Sequence, residues 1–219
     1  MYIPAHFAAA DIDQVAQLVE RAGAADLVTF DGERLIATLL PVIWDSSAGQ
    51  HGRLLGHIAL ANPQWKSARG GLPGLAIVHG PQAYISPSWY AAKKEDGRVV
   101  PTWNYTTVHF TGPVTFHQDP QWLLDIVTQL TGRYEHGRPD RWRVDDAPEA
   151  YIAGQLRGIV GVELTITQIE AKEKLSQNRG AADRAGVIDA LSGAQDQQER
   201  EIAGLMADRE AAGQAPAGQ

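Results

Sequence analysis

The strongest constraint on this fold is period-two alternation of apolar and polar residues, recurring in stretches between Asp26 and Thr167. Val108, Phe110, Val114 and Phe116 alternate with Thr107, His109, Thr111 and Thr115. Val160, Val162, Leu164 and Ile166 alternate with Gly161, Glu163, Thr165 and Thr167. Successive strand side chains point to opposite faces, so both stretches predict half-buried strands. Leu27–Phe30 and Leu35–Val42, joined through Asp31-Gly32-Glu33, read as a hairpin. Leu54–Leu60 and Leu75–His79 read as two more strands, and Gly112-Pro113 predicts a bend. Six or more strands with non-local pairing suggest a closed barrel, which hides its edges. Periodicity alone does not separate a barrel from a sandwich.

Helices punctuate this pattern. Ile12, Val15, Ala16 and Val19 repeat at helical spacing behind an Asp11/Gln14 capping box, and Gly23 ends the run. Asp119-Pro120 is a cap followed by proline at the first helical position, with Leu123, Ile126, Val127 and Leu130 as the buried stripe. A further helix begins near Pro148 and uses Ile152 and Leu156. The reading is therefore mainly β with flanking helices: residues 1–191 as one domain, with helices inserted at about 119–157. Residues 192–219 read as a weak helix around Ile202, Leu205 and Met206 with a disordered tail from Ala211.

Composition narrows the chemistry. The chain has no cysteine, which excludes disulfides, iron–sulfur clusters and thiolate metal ligation. A net charge of −7 argues against direct DNA binding. No secretory or membrane segment is visible, so the cytoplasm is the expected compartment. No His-x-x-x-His pair, nucleophile elbow, phosphate loop or dinucleotide fingerprint is present.

Four segments concentrate aromatics and hydrogen-bond donors: Gly56–Trp65, Gly80–Tyr90, Val100–Tyr105 and Lys174–Arg179. Together they resemble the PaiB family of FMN-binding proteins, and the resemblance runs from Met1-Tyr2-Ile3-Pro4 to about Leu191. It implies an FMN-binding split β-barrel of Greek-key type, a homodimer with a cofactor at each subunit interface. It also carries a label of transcriptional regulator, which the acidic charge does not favour as direct DNA binding. Divergent relatives, the piperazate synthases, hold haem b and form an N–N bond in an N-hydroxylated ornithine.

An anionic, planar cofactor needs cations or hydroxyls at one end and aromatic walls with amides at the other. Ser86, Ser88 and Lys93 suit a phosphate or propionate. Trp65, Trp89, Tyr90, Trp103 and Tyr105 suit ring walls. Asn104, Gln177 and Asn178 suit ring edges, Asn62 and Ser176 are further cofactor-binding candidates, and Lys66, Lys174 and Arg179 add positive charge. The same residues also have plainer readings: Pro63 and Pro87 mark turns, the aromatics fill cores, and the cations are solvated. His57, beside Gly56 in an apolar strand, is the axial ligand if the cofactor is haem, by resemblance to the piperazate synthases. In the FMN reading it is a donor. The family usually has histidine where this chain has Leu39, and His79 and Gln82 exchange the usual order around Gly80-Pro81. Lys174 to Arg179 match the common pattern.

Overall fold

The hairpin read at Asp31-Gly32-Glu33 joins strands β1 (Ala24–Phe30) and β2 (Leu35–Asp45). Its turn is held by the Asp31 carboxylate, which accepts from the backbone N–H groups of Glu33 and Arg34, both at 2.9 Å. Gly32 takes a φ of 102°, which side chains disfavour. The computed structural model describes residues 1–9, 11–67 and 71–214. The remaining strands are β3 (Arg53–Ala59), β4 (Leu72–Ile85), β5 (Thr102–His117), β6 (Ile159–Thr165) and β7 (Gln168–Lys174). The helices are α1 (Ile12–Ala22), α2 (Ala92–Glu95), α3 (Pro120–Glu135), α4 (Glu149–Leu156), α5 (Ala181–Ser192) and α6 (Gln197–Gln214).

The strand order is β4-β1-β2-β3-β6-β5-β7, and an additional β4–β5 pairing returns the order on itself. The late strand β6 lies between β3 and β5, antiparallel to both, as a closing strand should. β5 continues through Gly112-Pro113 as one strand. A Cβ on Gly112 would sit 1.8 Å from the backbone oxygen of Thr165, so this glycine permits close approach of backbone. Two elements differ from the sequence reading. α6 continues through Gln214, past the Ala211 where the tail was expected to begin, and residues 215–219 lie outside the described residues. β7, with its charged sequence Gln-Ile-Glu-Ala-Lys-Glu-Lys, was not expected as a strand at all.

The chain forms two compact units. One comprises Val15–Val78 and Val108–Glu170. Leu27, Leu40, Val42, Leu54, Val162 and Leu164 are buried inside it, each contributing about 1.5–3 kcal/mol by leaving water. On its outer face Leu55 packs with Ile126 and Leu130 of α3. The helix is capped by Asp119, whose carboxylate accepts from the Trp122 N–H at 2.8 Å. The Trp122 ring fills the space where Gly161 has no side chain. Gln64 is fully buried, and its Nε2 donates to the Leu27 carbonyl (3.1 Å), Thr29 Oγ1 (3.0 Å) and the Ile36 carbonyl (3.3 Å), tying the loop after β3 to the hairpin.

The other unit comprises Met1–Gln14, His79–Thr107 and Ala171–Gln219. Ile85, Tyr90, Leu175, Val187, Leu191, Ile202 and Met206 form its core. The C-terminal helices are thus structural, and Ile202 is fully buried. Gly186 lets α5 close onto Trp89, since a Cβ there would meet the Trp89 carbonyl oxygen at 2.1 Å. Among the described residues no helix is long and apolar enough to cross a membrane.

Candidate functional site

Strand period sorts the charges of β7. Lys172 and Lys174 share one face with Glu170, and Glu173 falls on the other, where it pairs with Arg209 of α6 at 2.9 Å. Burial pushes the Glu173 carboxyl up, and Arg209 opposes that shift. The neighbouring strand β5 sorts its residues in the same way: Lys172 reaches Tyr105, and Lys174 reaches the backbone at Trp103.

Lys172 is only 9% exposed, yet its ammonium has no carboxylate partner. It donates to the Tyr2 carbonyl at 3.2 Å and lies 5.3 Å from the Tyr105 ring centroid and 5.8 Å from that of Tyr2. The Lys174 ammonium donates to Thr102 Oγ1 and to the Trp103 carbonyl. Burial holds the Lys174 pKa below the usual lysine range, and the charges of Lys172 and Arg179 lower it further. The Arg179 guanidinium lies 4.6 Å over the Tyr90 ring. Among the described residues, no carboxylate is within ion-pair distance of Lys172, Lys174 or Arg179. Three cations lie near one another and, among the described residues, outside any ion pair, next to Trp103, which is 52% exposed and packs edge-on against Tyr84.

The amides of the fourth segment have other tasks. Asn104 is fully buried; its Nδ2 donates to Ser176 Oγ at 3.0 Å, and that hydroxyl donates back to Oδ1 at 3.1 Å. This pair holds Ser176 at a φ of 61°, a left-handed conformation that costs a serine about 1–2 kcal/mol. Gln177 closes its own turn, accepting from the Leu175 N–H at 2.7 Å and donating to the Glu173 carbonyl at 2.6 Å. Asn178 is left as the exposed amide. The second segment supplies a smaller polar group: Lys93 Nζ donates to Ser88 Oγ at 3.0 Å, and Ser86 caps the 3-10 turn that holds Ser88 and Trp89.

His57, Asn62, Trp65 and Lys66 belong to the other unit. Asn62 donates to Thr38 Oγ1 at 2.9 Å and Trp65 to the Leu60 carbonyl at 2.9 Å, so both fasten the loop after β3. Lys66 is exposed. His57 sits opposite Gly161, and burial lowers its pKa. Gly56 opens no space for a ring: its missing Cβ is occupied by the Pro41 carbonyl oxygen at 2.6 Å. A cleft of about 870 Å³ between α3 and residues 141–152 holds none of the predicted residues.

Sequence reasoning missed Lys172 and Tyr2. A lysine beside a glutamate in a charged run reads as solvated. The usable signal was the spacing Lys172-x-Lys174, which puts both ammonium groups on one face once the segment is a strand.

Structural comparison shows the fold. The chain superimposes on the FAD and heme binding protein of Mycobacterium smegmatis with a TM-score of 0.58 at 13% identity, covering 81% of this chain and 78% of that one. A flavocytochrome from Azotobacter vinelandii gives 0.57 at 14% identity, over 82% and 75% of the two chains. The architecture is the split barrel that the sequence implied. In sequence, the chain is 32% identical over 209 residues to "Protease synthase and sporulation protein PAI 2" of Bacillus subtilis, covering 95% of this chain and 98% of that protein. Residues 1–168 match the family described as "Putative FMN-binding domain". With that match and a full-length relative at this identity, the chain belongs to the PaiB-type family of FMN-binding domains.

Proposed function

We propose that the protein is a flavin-binding redox-cofactor protein, with the phosphate of FMN held by Lys172, Lys174 and Arg179 and the ring system near Trp103 and Tyr84. One observation carries this reading: three clustered cations, one of them buried, have no carboxylate partner. Burying an unpaired ammonium is costly, and a bound dianion offsets that cost with charge-assisted hydrogen bonds. The donor set also fits the group, with cations at one end and an exposed aromatic pair beside them. When bound, the flavin supplies the electron transfer; the protein binds, orients and tunes it.

The test is titration with FMN and with riboflavin, which lacks the phosphate. FMN is expected to bind about 1,000-fold more tightly, the worth of roughly two charged hydrogen bonds. Equal affinities would remove the phosphate site. The pH dependence has a definite sign. Lys174 carries its charge below its depressed pKa and loses it as pH rises through that value. FMN affinity is therefore expected to fall on the alkaline side at a lower pH than ordinary lysine titration would give, and the Lys174→Arg variant is expected to move that fall upward.

One observation favours haem b as a second reading. Burial disfavours the charged form of His57, and among the described residues no hydrogen bond engages its ring, which leaves a nitrogen for a metal. Gly56 does not support it. The absorption spectrum of the purified protein separates the two cofactors, and haem content unchanged in His57→Ala would exclude this ligand.

A second copy of the chain is proposed to cover the outer face of β2. Leu35 and Leu39 there are 72% and 68% exposed, and Phe30 of β1 pairs with Leu35. Such an apolar stripe on a strand is a liability unless it is covered. Sedimentation at micromolar concentration is expected to give a dimer, and Leu35→Glu/Leu39→Glu a monomer. A monomeric parent protein would overturn this assembly.

A further inference from the structure

We propose that Lys174 is a nucleophilic amine that forms a reversible imine with phosphate-bearing aldehydes, so that the cation cluster is also a covalent capture site. The inference rests on the anion-site reading only for docking of the phosphate. Its covalent part follows from the surroundings of Lys174 itself.

A lysine becomes nucleophilic when its amine is desolvated or placed beside other cations, because both conditions disfavour the ammonium form. Lys174 meets both: it is half-buried, and Lys172 lies two residues away on the same face of β7. No carboxylate among the described residues restores the charged form. The geometry adds direction. A neutral amine has two N–H bonds and one lone pair, and two acceptors are in place: Thr102 Oγ1 and the Trp103 carbonyl. With both N–H bonds so held, the lone pair is left unengaged. The other four lysines are differently placed. Lys66, Lys93 and Lys94 are exposed, and Lys172 is buried with its ammonium on the Tyr2 carbonyl.

The reaction balances without any oxidant or reductant. Lys174 first gives its ammonium proton to solvent. The nitrogen lone pair then forms a bond to the aldehyde carbon, and the carbonyl oxygen leaves as water with the two amine hydrogens. The product is a C=N bond between Nζ and the former aldehyde carbon. Lys172 and Arg179, which disfavour the Lys174 ammonium, also attract the aldehyde's phosphate, so one arrangement both activates the nucleophile and docks its partner.

The probe is pyridoxal 5′-phosphate, with phosphate-free pyridoxal as the control. The full-length protein is incubated with each, reduced with borohydride to fix any imine, and digested for peptide mapping. Lys174 is expected to carry the adduct, labelled about tenfold or more faster than Lys66, Lys93 or Lys94. Pyridoxal is expected to label it much less. Lys174→Arg keeps the charge but cannot form an imine, and is expected to lose the adduct. Adduct spread evenly over the exposed lysines would overturn the proposal. Pyridoxal phosphate that displaces FMN yet leaves no fixed adduct on Lys174 would overturn the imine and leave the anion site standing. Absence of binding by both FMN and pyridoxal phosphate would overturn both.

Discussion

Replacing Lys172 with methionine is expected to weaken FMN binding by about 100-fold while leaving thermal stability unchanged or raised. The two effects oppose one another because Lys172 serves the ligand at the expense of the fold. Its side chain is buried and, among the described residues, its ammonium has no carboxylate partner and makes one hydrogen bond, to the Tyr2 carbonyl. Replacing buried charge with an apolar side chain of similar length is often neutral or stabilising. Methionine also keeps the packing against Tyr105, where a thioether suits an aromatic ring. A hydrogen bond to a charged group is worth about 1.5–3 kcal/mol, which corresponds to roughly 10- to 150-fold in affinity. The comparison is Lys93→Met, which removes an exposed ammonium held by Ser88 and is expected to change affinity by no more than about twofold. Calorimetric titration and a thermal melt on the same samples read both quantities. A Lys172→Met protein that melts earlier and binds FMN normally would make Lys172 a structural residue and remove it from the site.

Gly112→Ala is expected to destabilise the protein by at least about 3 kcal/mol, the largest effect of any single methyl group considered. The new Cβ would lie 1.8 Å from the Thr165 carbonyl oxygen and 2.9 Å from its carbon. Both atoms are backbone, so no side-chain rotation relieves the overlap, and overpacking of this kind costs about 1–3 kcal/mol or more. Parting the strands also strains the bonds beside them. The Thr111 carbonyl accepts from the Thr167 N–H at 2.8 Å and from its hydroxyl at 2.9 Å. Gly204→Ala is the control: no heavy atom comes within 4 Å of its Cβ position, and alanine in the interior of α6 is expected to stabilise by about 0.5–1 kcal/mol. Denaturant unfolding of both variants measures the contrast. A Gly112→Ala protein as stable as the parent would mean that β5 and β6 do not approach so closely here.

Residues in sequence determined the greater part of the architecture. Alternation at Val108–Phe116 and Val160–Thr167, the Asp31-Gly32-Glu33 turn and the Asp119-Pro120 cap each specify a local conformation, because period and capping act over a few residues. Four separated segments also sufficed to imply the family and its split barrel. The site was less legible. Asn104, Gln177, Asn62 and Trp65 look like available donors in sequence, yet each is engaged by a neighbour, and that engagement depends on which atoms folding brings within 3 Å. β7 carries the sharpest case. Lys172-Glu173-Lys174 reads along the chain as charges that nearly cancel. Pairing that segment as a strand turns the lysines to one face and the glutamate to the other, towards Arg209. Charge content was written in the sequence; its separation onto two faces was decided only by tertiary pairing, because a strand's two faces become different environments only when something packs on each.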